Sequence, residues 1–169
     1  MNELASFLTA TQRCVNQCKT MLEFEQEKRQ ALLADDMDRL ESMIQSQQAA
    51  IMKLESLEKQ RLEAQEKAGY NQMTADEILK VMAEGPEKEE LAQQVGELRK
   101  TLEEIRYHND KAMEITRANL QIMNTLATGQ EQKKQPQGVY RPGQGSAGGQ
   151  RQGGSGAQWQ SSSSFEKKI

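Results

Sequence analysis

Leu4, Leu8, Thr11, Val15, Cys18, Leu22, Glu25, Arg29 and Leu32 follow one another in alternating steps of four and three residues, with no proline or glycine in between. That spacing returns a side chain to one face of an α-helix at every turn, the a/d seam of a coiled coil. A helix over residues 2–34 would be a rod of roughly 50 Å. A rod of that length is too long for an ordinary globular helix without a partner, so its seam needs a second helix against it.

The next segment supplies one. Asp35 and Asp36 offer a helix N-cap, with Asp38 in the first turn where the helix dipole favours negative charge. Met37, Leu40, Ile44, Gln47, Ile51, Leu54, Glu58, Arg61, Gln65 and Ala68 then repeat the seam until Gly69 stops it. No glycine or proline marks the Asp35–Asp36 junction, so a continuous helix stays open, but two seams on one chain cover each other only as a hairpin, and a tight turn is the expected form. Thr74, followed by Glu77, reads as a capping box ahead of Ile78, Leu79, Val81 and Met82, a short helix expected to stop at Gly85. Pro86 suits the first position of a third long helix, and Glu87, Glu89 and Glu90 load its positive end. Its seam runs through Leu91, Val95, Leu98, Leu102 and Ile105, then shifts after Asn109 to Met113, Thr116, Leu120, Met123 and Leu126. Ile115 and Ile122 broaden the apolar face, and Gly129 is expected to end the order.

The expected fold class is therefore all-α: an elongated antiparallel helical hairpin plus a third long helix, with a helical domain over 1–128 and a disordered C-terminal tail over 129–169. The tail holds nine of the twelve glycines, two of the three prolines, nine glutamines and six serines, too little apolar area to offset chain entropy. It nonetheless carries Val139, Tyr140, Trp159, Phe165 and Ile169, which a plain spacer does not require. Charge divides the same way, for the tail carries +4 and the body −7 of the net −3.

Only 4% of residues are aromatic and 36% are apolar, too few to fill a thick interior around a deep pocket. No membrane-length apolar run is present, and the first residues lack the pattern of a secretory signal, so a cytoplasmic protein without membrane insertion is expected. The single histidine, His108, has no catalytic neighbours in sequence, and Gly145–Gly149 lacks the lysine of a phosphate loop. No enzyme activity, cofactor or metal is expected. Cys14 and Cys18 lie one helical turn apart, a poor spacing for a disulfide within a helix, and read as small apolar packing groups. Met21, Met37, Met43 and Met52 read as seam gap-fillers. The polar seam residues Glu25, Arg29, Glu58 and Arg61 allow two readings, a functional one in which they fix helix register or mark where a partner helix enters, and a structural one in which the rod frays there and the seam opens to water. Tyr107 and His108 are assigned to a solvated face.

The order of these elements resembles the FlgN family of flagellar type III export chaperones. The stretch Lys28-Arg29-Gln30-Ala31-Leu32-Leu33-Ala34-Asp35-Asp36-Met37-Asp38-Arg39-Leu40 is similar to that family's leucine pair and Asp turn, and Leu54-Glu55-Ser56-Leu57-Glu58-Lys59-Gln60-Arg61 to its second helix with an arginine near the end. Asn109-Asp110-Lys111-Ala112-Met113 resembles the family's third helix, although Arg106 and Ala112 stand where Asn and Leu are more usual. Tyr140-Arg141-Pro142-Gly143 and Phe165-Glu166-Lys167-Lys168-Ile169 resemble its tails, whereas the Gly/Gln-rich insert between them does not. The resemblance implies a cytosolic chaperone that binds the C-terminal helices of hook-filament junction proteins, prevents their premature assembly and hands them to the export gate.

The wide apolar face of the third helix makes Met113, Ile115, Leu120, Ile122, Met123 and Leu126 the candidate client-binding residues, with Tyr140 as a candidate docking residue for client or gate. The free protein is expected as a monomer or weak dimer. One rival reading is a homo-oligomeric coiled-coil scaffold. The other is an RNA-associated protein acting through its tail, disfavoured because the tail has only two arginines and the body repels phosphate, so no nucleic-acid partner is expected.

Overall fold

The computed structural model describes residues 2–133, with side chains described through Gly129; Tyr140 and the rest of the tail lie outside the described residues. The chain forms α1 (Glu3–Leu33), α2 (Met37–Lys67), α3 (Ala75–Val81) and α4 (Pro86–Lys133), with no strand among the described residues.

The hairpin turn is built at Ala34–Asp36. Asp35 takes φ 53°, the Asp36 N–H donates to the Ala31 carbonyl at 3.0 Å and the Asp35 N–H to that of Leu32 at 3.3 Å. This pairing closes a helix C-terminus in a Schellman motif, normally with glycine at the left-handed position. Asp36 then caps α2, its carboxylate accepting from the Arg39 N–H at 3.0 Å. The hairpin is thus specified without glycine because aspartate tolerates the left-handed conformation and caps the next helix. Gly69, at φ 88°, closes α2 by the same motif, with Tyr70 N–H donating to Gln65 O at 3.0 Å. Since Asp35 is exposed, Asp35→Gly should stabilise the chain by about 0.5 kcal/mol in urea unfolding, because glycine carries no Cβ penalty at positive φ.

α1 and α2 run antiparallel: Gln17 donates to the Ala50 carbonyl at 3.0 Å, and Gln47 donates to the Glu25 carboxylate. α4 runs parallel to α1, since Lys19 pairs with Glu97 at 2.7 Å and the Arg29 guanidinium lies 5.9 Å from the ring centre of Tyr107. α1 is the central helix, packed against α2 and against α4. It therefore buries more than the expected seam. Beside Leu8, Thr11, Val15, Cys18 and Glu25, it also buries Phe7, Ala10, Cys14, Gln17, Met21 and Ala31. These add a second stripe, widening the buried arc to roughly 180° at about 100° per residue.

One core cluster joins Cys14, Val15, Cys18 and Met21 of α1 with Ala50 and Leu54 of α2 and Leu98, Leu102 and Ile105 of α4. The other joins Phe7 and Leu8 with Ala75, Ile78 and Met82 around α3 and with Leu91 and Val95 of α4. The capping box is present, Glu77 N–H donating to the Thr74 hydroxyl at 3.3 Å and Thr74 N–H to the Glu77 carboxylate at 2.8 Å. That pairing holds the Glu77 carboxyl below its ordinary pKa.

Four expectations need correction. α3 stops at Val81 rather than Gly85, because Met82 turns extended (ψ 139°) to bury its side chain in the second cluster. α4 passes through Gly129 to Lys133 rather than ending at that glycine. A single glycine costs a helix about 1 kcal/mol, and Gln130 to Lys133 are good helix formers. Met21 and Met43 are buried, but Met37 and Met52 are 63% and 70% exposed, since α2 is covered on the α1 side alone. Tyr107 is exposed as expected, yet it meets the His108 ring edge-on and Arg29, and His108 is half-buried.

Candidate functional site

Of the polar seam residues, Glu25 and Arg61 are buried, at separate levels of the hairpin, and Arg29 and Glu58 are half-buried. Glu25 is fully buried, taking Lys28 at 2.7 Å and a hydrogen bond from Gln47 across the hairpin. Arg61 donates to the Gln65 side-chain carbonyl at 2.9 Å, and the Gln65 amide donates at 2.8 Å to the carbonyls of both Tyr70 and Met73. This chain ties the end of α2 to the loop that leads into α3. A fraying seam would leave these groups in water, so the structure does not bear out fraying at Glu25 and Arg61.

The thiols are core groups. Burial pushes Cys14 up to about 11 and Cys18 up to about 12 from an ordinary value of 9.0. Because the folded chain holds both thiols neutral, their contribution to stability is complete below pH 9 and is lost as pH rises through the folded values. Unfolding midpoints should therefore fall between pH 9 and 12, with Cys14→Ala/Cys18→Ala flattening that alkaline limb.

The candidate client-binding residues lie where α4 outruns its neighbours. Arg29 of α1 stands beside Tyr107, so the end of α1, one turn further on, falls near Ala112, the last buried residue of α4. From there to Lys133 the helix continues for about 30 Å at 1.5 Å per residue. Met113 and Ile115 are half-buried at the base of this overhang. Leu120, Ile122, Met123 and Leu126 are 55%, 58%, 65% and 62% exposed. Between residues 115 and 130 the only charged residue is Arg117, in a chain that is 28% charged. Charge depletion with exposed Leu, Ile and Met is the composition of an interface core.

The overhang carries two adjacent apolar stripes. At about 100° per residue the shift after Asn109 returns Met113, Thr116, Leu120, Met123 and Ala127 to the face of Leu91, Val95, Leu98, Leu102 and Ile105 that α1 covers along the body, and leaves Leu126, expected in the seam, to its side. Ile115, Ile122 and Leu126 form the other, on the flank that carries Glu97, Glu104 and Lys111 in the body. Together they span an arc of roughly 180°. Sequence reasoning found these residues, but not that Leu33 (66% exposed) and Met37 lie at the same end of the bundle, at the hairpin turn. Their place in the leucine pair and at the start of the second seam gave no sign of it.

The long helical body thus ends in a charge-poor apolar helix that reaches past it. The model of the FlgN protein family matches residues 1–148, and the chain belongs to that family. It is thus a chaperone of flagellar export, a class whose members bind flagellar export substrates. No curated protein and no solved structure matches the chain. No helix among the described residues is long and apolar enough to cross a membrane.

Proposed function

We propose that the chain is a cytoplasmic chaperone for hook-filament junction proteins. It binds their C-terminal helices on the apolar face of the α4 overhang, keeps them from assembling early and delivers them to the type III export gate. The observation that carries this reading is the exposed, nearly uncharged face of Leu120, Ile122, Met123 and Leu126 on a helix with no neighbour at that level among the described residues. A client helix laid along it would bury what water now covers, in helix-in-groove fashion. The chemistry required is burial alone, without catalytic group, metal or cofactor.

Mixing the full chain with a purified hook-filament junction protein should give a stable heterocomplex by size-exclusion chromatography with light scattering, the chaperone alone eluting as a monomer or weak dimer. Added salt should leave that complex standing, since the face has one charge. A stable homo-oligomer that ignores the client would instead support the scaffold reading.

Tyr140 is proposed as the docking residue of the tail, because an aromatic ring enters a partner's pocket at low entropic cost. Tyr140→Ala should leave helicity unchanged and reduce either client affinity or delivery in an export assay, the first outcome assigning it to the client and the second to the gate. No change in both would reduce the tail to a tether.

A further inference from the structure

For α1 and α2, the width of a helix's apolar arc matches the number of helices packed on it. α2 buries one narrow stripe, Met43, Ala50, Leu54, Arg61 and Gln65, and packs on α1. α1 buries an arc of roughly 180° and packs on both α2 and α4. The correspondence is geometric, because the stripe that faces one neighbouring helix is about 100° wide.

The α4 overhang has the two-stripe width of α1 with neither neighbour present. Its first stripe, through Met113, Leu120 and Met123, is continuous with the α1–α4 interface. Its second, Ile115, Ile122 and Leu126, begins at the level of the hairpin turn, where α1 ends and α2 starts. Resting on the client reading above, we infer that the overhang takes two helices from one client molecule, one on each stripe, so that α4 becomes the central member of a three-helix layer as α1 is in the body. Other occupants leave the arc half covered. A second overhang from another copy would pair along one stripe and expose the other. The 36 residues after Lys133 offer Val139, Tyr140, Trp159, Phe165 and Ile169, with no three-and-four spacing that could lay a helical seam on either.

The test separates the stripes. Leu120→Gln/Met123→Gln alters only the first and Ile122→Gln/Leu126→Gln only the second; all four side chains are exposed, so the fold should survive, as circular dichroism would check. Against an intact hook-filament junction protein, each pair should weaken binding about 100-fold or more. Hydrogen exchange on the client should show two separate segments gaining protection in a complex of one client per chaperone. If one pair alone weakens binding, or one client segment alone is protected, a single helix binds and the two-helix inference fails while the client reading stands. If neither pair matters, the client reading fails with it.

Discussion

Phe7→Ala is expected to lower the unfolding free energy by about 4 kcal/mol, read as a fall in the urea midpoint at unchanged slope. Phe7 is 1% exposed and shares a cluster with Ala75, Ile78, Met82, Leu91 and Val95, its ring centre 6.3 Å from that of Tyr70. It is where the start of α1 holds the crossover from α2 to α4. Loss of the ring removes apolar burial and leaves a void, and the seven-residue α3 has little other anchorage. Met52→Ala, at a site 70% exposed on α2, should change stability by no more than about 0.5 kcal/mol.

The second large effect is on binding. Ile115→Gln/Ile122→Gln should weaken the client complex by about 4 kcal/mol, roughly a thousandfold, measured by calorimetric titration. Both residues lie on the flank that is charged along the body and apolar on the overhang, so neither belongs to the seam that α1 covers. Glutamine keeps helix propensity close to that of the best formers, so a loss of affinity with unchanged helicity reports contact rather than unfolding. Unchanged affinity would move the site elsewhere, most directly to the tail around Tyr140.

The four-three spacing, the Asp35–Asp36 turn, the Thr74–Glu77 box and Pro86 were enough to place the helices, because each is a local signal whose physics acts within a few residues. What they could not show was how many neighbours each helix has. α1 reads as one seam through Leu8, Val15 and Cys18; that Phe7, Cys14 and Met21 form a second follows only once α4 is placed parallel on its far side. Met37 and Met52 show the converse, since apolar side chains on α2 stay in water when no third helix reaches them. Glu25 and Arg61 kept two readings open in sequence because a polar seam residue can be solvated or satisfied. Their partners, Gln47 across the hairpin and Gln65 one turn on, decide it. The width of the α4 face was legible as composition, whereas its exposure depended on where α1 ends.

The account's central claim, that the overhang of α4 is the client-binding face, is tested most directly by amide hydrogen exchange on the chaperone with and without a hook-filament junction protein. Residues 113–129 of the free protein should exchange faster than residues 91–112, since among the described residues no other helix reaches past their half-buried base at Met113, Ile115 and Thr116, and should become protected when the client binds. Protection confined to other parts of the chain, with residues 113–129 exchanging as fast in the complex as in the free protein, would contradict it.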